Sequence, residues 1–93
     1  FNLAEAKQYA AKLRLGGYED WRVPTKEELL NIVDRTRTNP AIDIEVFPNT
    51  PSEYFWTVSP DAYSSSYAWI VYFSYGSSND YGVSYNGRVR CVR

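Results

Sequence analysis

Ala68-Trp69-Ile70-Val71-Tyr72-Phe73 is the run that decides the fold, because it is β-branched or aromatic from its second residue onward, as a pleated and largely buried strand requires. Working outward, Glu53–Thr57 contains Tyr54-Phe55-Trp56 and predicts another strand. Arg88-Val89-Arg90-Cys91-Val92-Arg93 alternates polar with apolar, the pattern of a half-buried terminal strand. Between these runs lie Ser59–Tyr67 and Ser74–Gly87, built almost wholly from Ser, Tyr, Gly, Asn and Asp and predicted as long polar loops. Asn86-Gly87 reads as the turn into the last strand.

Upstream, the hydrophobic period changes. Asn2-Leu3-Ala4-Glu5 has the form of a capping box, in which Asn2 accepts from a free first-turn amide and Glu5 reaches back. Leu3, Ala6, Ala10 and Leu13 recur on one face, and Gly16-Gly17 supplies a left-handed stop, which predicts a helix over about residues 2–14. Thr25-Lys26-Glu27-Glu28 is a second capping box. It starts an apolar face of Leu29, Leu30, Ile32 and Val33 in a region closed by Asn39-Pro40. Glu27 and Glu28 admit a catalytic-pair reading, but first-turn acids that complement the helix dipole account for them better. Trp21, in the connector between the helices, is expected to pin that connector to the core, with Asp20 and Arg22 fixing its path. Helices first and strands afterwards give an α+β domain, two helices packed on a small antiparallel sheet with long polar loops.

Ninety-three residues suffice for one domain and not for two. Ten Lys+Arg against eleven Asp+Glu argue against a nucleic-acid partner held by broad phosphate neutralisation. No apolar run reaches the roughly 18 residues of a membrane-inserted span. There is no His, which removes the commonest general base and the commonest ligand of catalytic zinc. The single Cys91, between apolar neighbours, reads as a small buried residue rather than a reactive thiol. No metal and no cofactor are expected. Asn79-Asp80 is a lone pair of oxygen ligands, too little for calcium, and nothing in the sequence brings Asp61 to Asp80 as a catalytic pair.

Aromatics reach 17%, and seven of the nine tyrosines lie between Tyr54 and Tyr85 in the company of eight serines. From Pro51 to Gly87 there is no Lys, Arg, Gln or His. Loops that merely meet solvent use long charged side chains freely, so this composition points to contact. Tyrosine offers a broad amphipathic face at low entropic cost, and Ser, Gly and Asn supply adaptable hydrogen bonds, as in antibody paratopes. The candidate ligand-binding residues are Tyr63, Ser65, Tyr67, Tyr72, Ser74, Tyr75, Ser77, Ser78, Asn79, Asp80, Tyr81, Ser84, Tyr85 and Asn86. Tyr72 is divided between this role and covering a thin core. The expected partner is a protein or a carbohydrate, and a neutral hydroxyl-rich face favours strongly anionic ligands less, although Arg88, Arg90 and Arg93 offer a local basic edge. The alternative is a structural module that meets further copies of itself as a homo-oligomer at a fibre tip.

Leu15-Gly16-Gly17-Tyr18-Glu19-Asp20-Trp21-Arg22-Val23-Pro24-Thr25-Lys26-Glu27-Glu28-Leu29 resembles the signature block of the domain that ends the Legionella-type collagen-like adhesins. Asn39–Asp43, Phe47–Thr50, Tyr54–Thr57, Ala68–Gly76 and Val89–Arg93 are similar to that family's later blocks, in order. The resemblance implies one C-type-lectin-like ligand-binding domain over residues 1–93, the C-terminal part of a longer chain. It also implies a relation to formylglycine-generating enzymes and a binding role at a cell surface, or on a secreted or phage particle. Those enzymes use paired cysteines, which one Cys cannot supply. The family often carries a helix cysteine where this chain has Tyr9-Ala10-Ala11, so no bridge from there to Cys91 forms here. Members of the fold also serve as variable proteins of diversity-generating retroelements, whose randomised Asn codons yield Tyr, Ser, Asp, Gly, Phe, Val or Asn and never Lys, Glu, Gln or Trp. Tyr63–Asn86 obeys that restriction once framework residues such as Trp69 are set aside.

Overall fold

The computed structural model describes residues 1–93. Helix α1 spans Leu3–Lys12 and a short helix α2 spans Lys26–Leu30, with a 3₁₀ turn at Leu15–Gly17 between them. Strands β1 (Tyr54–Pro60), β2 (Tyr67–Tyr72) and β3 (Ser77–Gly82) form one antiparallel sheet in the order β1-β2-β3. Both capping boxes close as the sequence predicts. Asn2 accepts from the Glu5 amide while Glu5 accepts from the Asn2 amide, and Thr25 and Glu28 do the same for α2.

The register divides the sheet into two packed faces. Tyr54 lies opposite Tyr72, Trp56 opposite Ile70, and Ala68 opposite Tyr81, so these residues share one face. Trp56, Ala68 and Ile70 join Leu3, Ala6 and Ala10 of α1 in one core. On the other face Phe55 and Val71, with Phe73 just beyond β2, meet Leu29 of α2 and Ile42 in a second core. The sheet is the common wall between them. Burying this many large apolar side chains, at about 1.5–3 kcal/mol each, is what holds so short a chain together.

Several boundaries differ from the sequence reading. Helix α1 ends at Lys12, and Gly16 and Gly17 take their left-handed φ of 67° and 79° inside the following turn instead of at the cap. Helix α2 is only five residues long. After Leu30 the chain tightens into turns, with the Ile32 amide donating to Leu29 and that of Val33 to Leu30, and Asp34 Oδ1 then captures the Thr36 amide and hydroxyl. Gly76 fixes how close that turn can come, since a Cβ there would stand 2.4 Å from Val33 Cγ1.

The sheet also differs. Ser77–Gly82, predicted as loop, is the third strand and pairs with β2 over all six positions. Its residues have little strand preference of their own, and β2 imposes the conformation by offering an unpaired edge. Arg88–Arg93, predicted as a strand, makes only isolated bridges, Arg88 to Phe55 and Val92 to Arg22. Further along β1 the Val58 amide donates to Pro24, so the tail has no continuous edge to follow. Asn86-Gly87 is likewise not the turn; the chain bends at Val83–Tyr85, and Gly87 instead pairs with Phe1.

Candidate binding surface

Helix α1 covers only part of its sheet face. The rest is paved by tyrosine. Tyr54 and Tyr72 have ring centroids 4.6 Å apart, Tyr54 and Tyr81 5.0 Å, and Tyr81 and Tyr85 5.4 Å. Tyr81 also lies 5.5 Å from Trp56, tying the row to the α1 core. Tilted and edge-on aromatic pairs of this kind add about 0.5–1.5 kcal/mol beyond their burial. Ser77 and Asn79 stand on the same face of β3 and are exposed, so hydroxyl and amide groups border the rings. Gly82 admits Tyr85 to the row, because a Cβ there would crowd its ring at 3.1 Å.

Two other tyrosines, Tyr63 and Tyr75, project from connections, and so does Tyr85 at the end of the row. Tyr63 is 97% exposed in the β1–β2 loop, where its amide donates to Asp61 Oδ1, and exposed Ser65 is in the same loop. Tyr75 is 64% exposed at the β2–β3 turn. Tyr85 is 59% exposed and is flanked by exposed Ser84 and Asn86.

The sequence-predicted residues do not form a single patch. Tyr72, Ser77, Asn79 and Tyr81 share the α1 face, whereas alternation places Tyr67, Ser78 and Asp80 on the α2 face with Trp69. Lys26 Nζ lies 4.3 Å from the Trp69 ring centroid there. Tyr72 and Tyr81 are half-buried rather than free, since both pack against the α1 core. Ser74, expected to contact ligand, is 5% exposed, and its hydroxyl donates to Asn39 Oδ1. The segment at Asn39–Ala41 returns over the end of β2 and takes Ser74 inside, with the Asn39 amide donating to Ser74 and the Ala41 amide to Phe73. Tyr54, 38% exposed at the centre of the row, was absent from the sequence-predicted set. Its signal is the facing pair with Tyr72, visible only once the register is known.

The expected basic edge is mostly neutralised. Arg88 grips Glu53 at 2.9 and 3.3 Å, and Arg93 grips Asp20 at 2.8 and 3.2 Å while stacking 3.5 Å above Tyr18. These bonds hold the carboxyls of Glu53 and Asp20 below their usual range. Glu28 is held by Arg22 and by the Thr25 amide, which lowers its pKa to about 2 and makes it part of the scaffold. Trp21, expected to pin the connector to the core, is half-buried and joins neither core; its Nε1 donates to the Leu15 carbonyl at 3.0 Å, which braces the connector on its own 3₁₀ turn. Cys91 is a free, half-buried cysteine whose thiol pKa is pushed up by that burial. It borders a groove of about 470 Å³ between the end of α1, Trp21 and the C-terminal run.

The family model for the Lcl C-terminal domain matches residues 1–93, and the chain belongs to that family, the terminal domain of collagen-like adhesins. No curated protein matches the chain.

Proposed function

We propose that this domain is a non-catalytic binding module that presents its Tyr/Ser/Asn surface to a protein or glycan ligand. The observation that carries the reading is the row Tyr72–Tyr54–Tyr81–Tyr85, rings braced on one another beside exposed Ser77 and Asn79. Rigid amphipathic side chains lose little entropy on binding, and a few such anchors can supply most of an interface's energy. Membership of an adhesin-domain family supports the same reading. In this proposal the scaffold is C-type-lectin-like and acts at a cell surface, or on a secreted or phage particle. No helix is long and apolar enough to cross a membrane.

The test is a protein and glycan array probed with the domain and with Tyr63→Ala, Tyr75→Ala and Tyr85→Ala. Loss of the captured ligand by at least one folded variant is the expected result, and unchanged binding by all three rejects the surface. Diversification by a retroelement is a finer part of the proposal, supported by the codon-compatible composition of Tyr63–Asn86. It is tested by searching the genome for a nearby reverse transcriptase and an Asn-codon-rich copy of the segment.

Assembly is a second reading, favoured by Leu15, Ile44 and Val46, which are exposed well away from the tyrosine row in sequence. Light scattering separates the two. A stable oligomer whose formation covers Leu15, Ile44 and Val46 supports assembly, and a monomer that binds ligand supports display.

A further inference from the structure

The third strand leaves one side of its backbone open. Along β2 and its ends, the Phe73 amide donates to Glu53 at 3.0 Å and the Tyr67 carbonyl accepts from Asp61 at 3.3 Å, so the odd-numbered residues face β1. The even-numbered residues face β3, and the Ser66 carbonyl accepts from Val83 at 2.9 Å on that side. Ser77, Asn79 and Tyr81 stand opposite Tyr72, Ile70 and Ala68 and therefore bond back to β2. Ser78 and Asp80 turn their amides and carbonyls the other way. No segment outside the sheet bonds to the backbone of either, and β3 is the last strand on that side. Arg88 and the Phe1–Gly87 pair lie beyond β1, at the opposite side of the sheet.

This edge lacks the usual protection. Native sheets guard their edges with lysine, proline or a bulge. Strand β1 has two of these, an irregular register between Trp56 and Pro60 and the proline itself. Strand β3 has none: it contains no Lys and no Pro, and its register with β2 is unbroken over six positions. Its one charged residue, Asp80, is exposed and takes part in no ion pair.

The division of the candidate residues between two sheet faces has the same explanation. Ser77, Asn79 and Tyr81 stand on the face of the tyrosine row, and Ser78 and Asp80 stand on the face of Trp69. A ligand lying flat on either face reaches only one group. A strand added along β3 sends its own side chains alternately to both faces and meets all five residues.

We propose, resting on the binding-module reading, that the ligand is an extended segment of a partner polypeptide, which adds to β3 as a fourth strand. Its backbone takes the open amides and carbonyls of Ser78 and Asp80. Apolar side chains on one face lie beside Tyr81 and Tyr85, and a lysine or arginine on the other meets the Asp80 carboxylate. Donors and acceptors recurring every second residue, about 6.8 Å apart, match a peptide backbone and not a sugar ring.

The experiment uses the intact domain and a blocked heptapeptide that begins and ends with valine, alternates valine with threonine, and has lysine in place of the central threonine. Amide exchange is followed residue by residue. The expected result is slowed exchange at Ser78 and Asp80 on adding peptide, with little change at Asn79 and Tyr81, which already bond to β2. Ser78→Pro removes one outward donor without touching a bond to β2 and is expected to weaken binding about tenfold or more. Singly N-methylated peptides make the same test on the unaltered domain: methylation at amides facing β3 weakens binding about tenfold or more, and methylation at the intervening amides changes it little. Unchanged exchange at Ser78 and Asp80 up to the peptide's solubility limit overturns the proposal, as does equal sensitivity to methylation at every position. Protection of those two amides by dimerisation of the domain alone, seen with light scattering, also overturns it, since the edge then belongs to a second copy. An array ligand that is lost with the tyrosine variants yet slows neither amide leaves the binding module standing and overturns the added strand alone.

Discussion

Arg22 and Glu28 form a two-pronged ion pair, with Nη1 and Nη2 of the arginine 2.6 and 2.7 Å from the two carboxylate oxygens. Glu28 Oε1 also accepts the Thr25 amide at 2.8 Å, and the Arg22 backbone exchanges bonds with Val92. One carboxylate thus ties the start of α2, the connector and the C-terminal run together.

Stability therefore falls in acid. Glu28 drops from an ordinary 4.5 to about 2 in the folded protein, and Asp20, Asp34 and Glu53 are lowered as well. A carboxyl whose folded value is depressed contributes stability that is complete above its unfolded value and is lost as pH falls through the folded one. Urea midpoints are expected to be level from about pH 5 to 8, where no side chain of this His-free chain ordinarily titrates, and to decline below about pH 4.5. Glu28→Gln is expected to lower the plateau and flatten the decline between about pH 4.5 and 2.

Removing the hydroxyl that caps α2 gives a second measurement. Thr25→Ala leaves the Glu28 amide without its acceptor and is expected to cost about 1 kcal/mol, read as a shift in thermal or urea midpoint.

Gly76 offers a steric test. Its φ is 80°, and an added Cβ would stand 2.4 Å from Val33 Cγ1. Gly76→Ala is expected to destabilise by about 2–3 kcal/mol. Val33→Ala in the same chain should recover part of that loss, and a strictly additive pair would show that the clash is not the cause.

For ligand binding, Tyr63, Tyr75 and Tyr85 differ from Tyr81. The first three are largely exposed, whereas Tyr81 packs against Trp56 and the α1 core. Alanine at an exposed anchor is expected to weaken binding by about 2 kcal/mol, roughly thirtyfold, with an unchanged melting temperature. Tyr81→Ala should lower the melting temperature as well.

What the sequence made legible was local. The two capping boxes and the β-branched run at Ile70-Val71 act within a few residues of themselves, and each stands in the structure where its residues predict. Ser77–Asp80 could not be read as a strand, because its conformation comes from the β2 edge beside it. Ser74 was misplaced for a related reason, since the segment that covers it arrives from Asn39, far earlier in the chain. The groove was invisible because α1, Trp21, Pro51 and the C-terminal run each contribute only a fragment of its wall. Tyrosine enrichment marked the right half of the chain and could not divide its members between the two sheet faces.

The three lysines, Lys7, Lys12 and Lys26, all lie on the helices, and none falls within the tyrosine-bearing half. Amine-directed dyes, resins and sensor chips will therefore react on the helices, but Lys7 shares a cleft with Ser65 and Ser84 and Lys26 stands over Trp69, so attachment there comes close to the candidate binding residues.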